Sequence, residues 1–331
     1  MKRRISACKS KIFRRGLAVV IVIIASSVSG CASLEKLDEK KEGFFTFVVL
    51  PDTQKYTRQF PETFIAQTEW LRDHAEMLNI VGVAHEGDIV TDGGNEKEWK
   101  VADSAISLLD GGVPYFLSVG NHDYRGEYKA KTRDATMFRK FFPVSRFEEK
   151  SWFGGHYGDG VENAYYFIEA GGMKFMVLCL EITPRDKALD WANKIVAENP
   201  DSRTIVVTHV YMYIDDTRLD ENDGWYPRNY GNDGDQMWEK FVRKHKNIFL
   251  VLSGHCLEEG LGRRVDEGDH GNPVHQILAN YQSYENGGNG WLRIMQFVPS
   301  KDNILVRTYS PLLKKFKTDG KNEFSLEYDM E

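Results

Sequence analysis

The sequence predicts an α/β fold built on a mostly parallel sheet, and three observations carry that expectation. Short apolar runs rich in β-branched and aromatic residues recur along residues 44 to 310. Helical spacing of apolar residues follows most of them, and several runs end in a cluster of Asp, Asn or His. Repeated β-α steps of this kind bury the strands on both faces. The 331 residues, 41% hydrophobic and 28% charged, suffice for one large domain with a sizeable core. A formal net charge of -6, spread along the chain without a basic block, gives no nucleic-acid-binding signature.

The N-terminus follows other rules. "MKRRISACKSKIFRRG" is basic, "LAVVIVIIA" is apolar but short for a bilayer span, and "SSVSGC" sets small residues ahead of Cys31. Residues 1–30 therefore read as a secretion signal, with an uncleaved anchor helix as the alternative. The tetrad Val28-Ser29-Gly30-Cys31 resembles a bacterial lipobox, which implies a lipid-modified Cys31 and a domain facing the periplasm or the exterior. Residues 31–43 are charged and patternless, as a tether is, and the folded domain is expected over 44–331. Cys8 and Cys31 belong to the signal, so Cys179 and Cys256 are too few for a disulfide framework.

Along the domain, "FFTFVVL" begins the first strand and "PETFIAQTEWLRDHAEML" the first long helix, opened by Pro61. "IVGVAHEGD", the helical "NEKEWKVADSAISLLDGG" and "PYFLSVGNHD" repeat the step. Residues 143 to 163 are loop-rich, and "AYYFIEAGGMKFMVLCLE" reads as a hairpin. A helix over 184–198, strand "TIVVTH", a helix over 234–246 and strand "IFLVLSGH" follow, and "VHQILANY", "WLRIMQFVPS" and "NILVRTYS" read as antiparallel strands.

Ligands of open α/β sheets bind beyond the carboxyl ends of the strands. The residues there are Asp52 with Gln54, Asp88, Asn121 with His122, His209 and His255. Each alone is an ordinary turn signal. Five in succession supply oxygen and imidazole donors suited to divalent Mn, Fe or Zn, and a shared Asp can hold two ions about 3.5 to 4 Å apart.

The ordered set "PDTQ", "GDIVTD", "GNHD", "VVTHV" and "SGHCL" resembles the calcineurin-like metallophosphoesterases over roughly residues 44 to 310. The resemblance implies a four-layer sandwich of two mixed β-sheets flanked by helices, and hydrolysis of a phosphate ester at one or two divalent ions. It assigns Asp88 as the bridging carboxylate, Asn121, His209 and His255 as the other ligands of one ion, and Asp52 as a ligand of the second. Gln54 and Leu257 stand where that family has histidines. A Gln carbonyl is a neutral hard oxygen, so Mn or Mg is favoured on that side, with Glu258 or Glu259 as substitutes and Gln54 as a weak ligand. His122 matches the general acid that protonates the leaving alkoxide. Asp92, one residue later than the family's pattern, or the Thr91 hydroxyl, is expected to orient it. A binding lipoprotein that holds metal or phosphate without turnover is the alternative.

Other expectations are less specific. His74 and His245 lie in charged helices and read as surface residues, His85 as a core or supporting residue, and Cys256 as buried packing. Arg293 is a candidate phosphate clamp, and His270, in a glycine-rich loop, a candidate pocket wall, with an ordinary hairpin entry as the other reading of that loop. The aromatics of "YMYIDD" and "DGWYPRNY" suit contact with the organic part of a substrate. That substrate is expected to be a small-molecule, lipid-headgroup or cell-wall phosphate ester, reached from a membrane through the anchor at Cys31.

Overall fold

The computed structural model describes residues 43–126, 129–224, 226 and 230–330, so the expected signal and the tether up to residue 42 lie outside the described residues. The first half comprises β1 (Phe45–Leu50), α1 (Gln54–Gln59), α2 (Pro61–His74), β2 (Ile80–His85), α3 (Glu96–Ile106), β3 (Tyr115–Leu117), α4 (Thr136–Phe141) and β4 (Phe153–His156). The hairpin β5 (Ala164–Ala170) and β6 (Met173–Cys179) leads to α5 (Asp186–Glu198), β7 (Arg203–Val207), α6 (Gly234–Lys240) and β8 (Ile248–Ser253). Six strands close the chain: β9 (Leu261–Glu267), β10 (Pro273–Ala279), β11 (Leu292–Val298), β12 (Asn303–Ser310), β13 (Lys315–Lys317) and β14 (Glu323–Glu327).

These strands form two mixed sheets. One runs β13-β12-β11-β1-β2-β3, with β14 also paired to β12, and the other runs β4-β5-β6-β7-β8-β10-β9. The sheets face each other across aromatic contacts. Phe45 stacks on Phe297 at 4.7 Å within the first sheet and meets Phe175 of the second edge-on at 5.5 Å. Phe116 lies 4.9 Å from Tyr166. Because side chains alternate along a strand, Tyr165 points the other way, to Trp191 of α5 at 6.1 Å. On the far side of the first sheet, Trp70 of α2 meets Tyr309 at 5.0 Å. Helices thus cover both outer faces.

The sheets are mixed, as the resemblance implies, with parallel pairing confined to β1-β2-β3 and β6-β7-β8-β10. Two details differ from the sequence expectations. Strand β10, expected among the antiparallel strands, pairs parallel to β8, and β9, which carries the exposed or half-buried charges of Arg263, Arg264, Asp266 and Glu267, takes the edge and leaves the buried run of β10 inside. The helix expected over 234–246 ends at Lys240, where Phe241 leaves helical geometry (φ −140°), and a 3-10 turn over Val242–Lys244 buries both Phe241 and Val242.

Register sets up the site. Leu50 pairs with His85, and His85 with Leu117, so the turns after β1, β2 and β3 leave their sheet side by side. In the other sheet Val207 pairs with Leu252, which places the residues after β7 and β8 at the same rim.

Candidate metal centre

Asp88 is the hub. Its Oδ1 accepts from the His122 amide at 2.8 Å, while Oδ2 accepts Gln54 Nε2 at 2.8 Å and lies 3.3 Å from His209 Nε2. His209 is held by Nδ1, which donates to the Glu86 carbonyl at 2.9 Å, so Nε2 is the nitrogen turned to Asp88. His255 Nδ1 comes within 3.1 Å of that same Nε2. One ligand atom from each of Asp88, His209 and His255 therefore lies within 4.8 Å of the others. Asn121 Oδ1 is buried without a hydrogen-bond partner, an acceptor that a cation would satisfy. One carboxylate, one amide oxygen and two imidazoles fit a divalent transition ion.

The backbone is bent to achieve this. Asp88 and His255 both have positive φ, 49° and 70°, conformations that side-chain-bearing residues adopt only when the surroundings impose them. Glycine is required where the carboxylates approach the chain: a Cβ on Gly120 would stand 2.2 Å from Asp88 Oδ1, and one on Gly254 would stand 2.4 Å from Asp52 Oδ1.

Electrostatics follow the same geometry. Burial raises the Asp88 carboxyl, but the nearby His209 and His122 imidazoles outweigh that and hold it well below the usual carboxylate range. His209 is the converse. Burial lowers it, yet Asp88 and Asp52 together raise it to about 9. Asp52 is pushed up to about 7 by burial, partly offset by His209.

Asp52 lies beside the cluster with its oxygens already engaged. Oδ2 accepts Asn280 Nδ2 at 2.9 Å and Gln282 Nε2 at 2.8 Å, and Oδ1 accepts the His255 amide at 3.3 Å. Gln54, expected to offer a carbonyl to an ion, gives its amide nitrogen to Asp88 instead.

His122 is half-buried at the rim, and its Nδ1 lies 2.6 Å from the backbone carbonyl of Thr91. That carbonyl takes the role expected of Asp92 or the Thr91 hydroxyl. The hydroxyl donates to the Gln54 backbone carbonyl at 2.7 Å, and the exposed Asp92 accepts the Gly94 amide at 2.9 Å. Glu98 explains the turn: its buried Oε2 accepts the Thr91 and Asp92 amides at 2.8 and 3.0 Å, which aims the Thr91 carbonyl inward.

Two other expectations are corrected. His270 sits on the β9-β10 turn, its Nε2 3.1 Å from the Lys244 carbonyl, at the amino end of β8 and so at the opposite end of the sheet from His255. Arg293 is 2% exposed and braced by the Tyr281 hydroxyl at 3.2 Å and the Lys321 carbonyl at 3.0 Å. It supports Tyr281, between Asn280 and Gln282, in place of clamping a phosphate. His85 is buried as expected, 2.9 Å from Thr53 Oγ1 and neutral because burial lowers it to about 3. Burial raises the Cys256 thiol, which suits packing and not nucleophilic attack. Of the aromatics expected to contact substrate, Tyr211 is fully buried, and Trp225 lies outside the described residues.

Sequence reasoning missed Asp123, Glu98, Asn280 and Gln282. Asp123 is fully buried and accepts the Val90 and Gly120 amides at 3.0 and 2.8 Å, tying the loops that carry Asp88 and Asn121. Asn280 and Gln282 follow the apolar run of β10, so the strand-end rule that found the other residues reaches them too.

A family profile described as calcineurin-like phosphoesterase matches residues 45–258. The uncharacterized protein YvnB of Bacillus subtilis (strain 168) is 35% identical over 302 residues; the match covers 86% of this chain but 22% of that protein. The fold is similar to that of the purple acid phosphatase PPD1 from yellow lupin seeds, with a TM-score of 0.54 at 12% identity over 87% of this chain and 55% of the other. It is also similar to GAP50, the anchor in the inner membrane complex of Plasmodium, with a TM-score of 0.50 at 12% identity over 87% and 91% of the two chains.

Proposed function

The chain belongs to the calcineurin-like phosphoesterase family, and we propose from this that it is a metal-dependent hydrolase of phosphate esters, tethered outside the cytoplasm by a lipid on Cys31. The observation that carries the catalytic part is the convergence of Asp88, His209 and His255 within 4.8 Å, directly beside His122. Asp88, Asn121, His209 and His255 would hold the ion. A divalent ion bound there supplies a Lewis acid for the phosphoryl oxygens and lowers the pKa of water. His122 delivers the proton. With Nδ1–H held by the Thr91 carbonyl, the protonated ring gives the Nε2 proton to the departing alkoxide oxygen and becomes neutral.

His122→Ala is expected to keep its metal and to slow turnover by about 100- to 10,000-fold on alkyl phosphoesters, the usual loss for a removed acid. On nitrophenyl esters, whose leaving group needs little protonation, the defect should shrink. A variant equally active on both would remove His122 from the chemistry.

The order of a basic stretch, an apolar run and Val28-Ser29-Gly30-Cys31 supports the anchored, outward-facing location. Cys31→Ser should then leave an uncleaved or released protein; attachment and processing as in the wild type would contradict the lipid. A domain so placed has access to phosphate esters of small molecules, lipid headgroups and cell-wall polymers. Among the described residues, no helix is long and apolar enough to cross a membrane.

A further inference from the structure

We infer that this chain holds one divalent ion and that side-chain amides fill the ground beside Asp52 where a second ion would sit. The inference rests on the metal-dependent reading above and concerns the half of the site that does not fit a metal. Asp52 already receives three N–H donors, from Asn280, Gln282 and the His255 backbone, at 2.9, 2.8 and 3.3 Å. A carboxylate so engaged has exchanged a cation for amide dipoles.

The Asn280 amide orientation is fixed by its other end. Asn280 Oδ1 accepts the Gln282 backbone amide at 3.0 Å, so turning the Asn280 side chain over would set its oxygen against Asp52 and its nitrogen against an N–H. The Gln282 backbone carbonyl accepts Lys55 Nζ at 2.8 Å, which anchors the main chain at that residue. Gln54 Nε2 occupies Asp88 Oδ2 at 2.8 Å, while its backbone carbonyl accepts the Thr57 and Thr91 hydroxyls at 2.9 and 2.7 Å. An ion shared by Asp52 and Asp88 would have to displace donors from both carboxylates and would gain no imidazole, since positions 54 and 257 are Gln and Leu. The opposite half lacks what this half has in surplus. Its Asn121 Oδ1 is an unpartnered buried acceptor, and its imidazole nitrogens point at each other and at Asp88.

The test loads metal-free protein with excess Mn(II), removes unbound ion, and measures manganese per chain by mass spectrometry together with the electron paramagnetic resonance spectrum. One ion per chain with the signal of isolated Mn(II) is expected in the wild type, in Asp52→Asn and in Gln54→Ala, and none in His209→Ala. Two ions per chain with an exchange-coupled spectrum, falling to one in Asp52→Asn, would overturn the inference and leave the metal-dependent reading standing. A wild-type chain that binds no ion would overturn that reading, and the inference with it. The wild-type count and spectrum decide the matter even if a variant does not fold.

Discussion

His122 takes its direction from a backbone carbonyl, so the residues that matter to it are those that aim the carbonyl. Glu98 does this through the Thr91 and Asp92 amides, and Asp123 fixes the neighbouring strand-end loops. Glu98→Ala should lower turnover on alkyl phosphoesters by about 10- to 100-fold at unchanged metal content, since small misplacements of an acid carry penalties of that order. Asp92→Asn and Thr91→Val should change it less than about threefold, because the Asp92 carboxylate is engaged by the Gly94 amide and the Thr91 hydroxyl by the Gln54 backbone carbonyl, while the Thr91 main-chain carbonyl meets the ring. Rates on one alkyl ester, with metal content checked, test the three together; a large loss in Asp92→Asn with Glu98→Ala unaffected would reverse the assignment. At this scale the sequence showed residue types at strand ends and little of their roles. Asp52, Asp88, Asn121, His122, His209 and His255 were legible because each follows an apolar run. The Thr91 carbonyl was not, since a main-chain acceptor carries no signature in a side chain, and the buried Glu98 reads like any helix-face acid.

The elements were legible where periodicity is strong, as in β1, α2, β2, α3 and the β5-β6 hairpin, and less so at the edges. β9, β13 and β14 pair through short or charged stretches whose pattern equals that of a loop, and tertiary pairing makes them strands. His245, read as a surface residue, instead joins elements. It follows the 3-10 turn after α6, and its Nε2 lies 2.8 Å from Asn193 Oδ1 of α5. Burial lowers it to about 4, with Lys244 and His270 adding repulsion. The sign of the pH effect follows. Between about pH 6.5 and 4 the unfolded chain takes up a proton at this histidine that the folded chain refuses, so stability falls as pH falls through that window. His245→Gln cannot titrate, and its loss of unfolding free energy between pH 7.5 and 4.5 should be smaller than that of the wild type. Urea unfolding at the two pH values measures this, and equal losses would show that His245 is solvated in the folded state.

At the scale of the molecule, the candidate ligands come from both sheets: Asp88 and Asn121 follow β2 and β3 in one, His209 and His255 follow β7 and β8 in the other. That the two sheets meet was implied only by the resemblance of the motifs, since inter-sheet contacts such as Phe45–Phe175 and Phe116–Tyr166 join residues more than 40 positions apart and leave no periodic trace. An ion held between the sheets binds the folded chain and not the unfolded one, so it must stabilise the fold by mass action. Free Mn(II) at 100 times its dissociation constant should add about 2.7 kcal/mol. For a chain of this size that corresponds to a rise in melting temperature of roughly 4–5 °C. A chelator should reverse the rise, and His209→Ala, which removes a ligand from the second sheet, should abolish it. Asp52→Asn should retain it, because its carboxylate is held by Asn280 and Gln282 and not by the ion. Calorimetry of the three proteins with and without Mn(II) provides the comparison. A full thermal shift in His209→Ala would place the ion elsewhere and break the link between metal and the joining of the sheets.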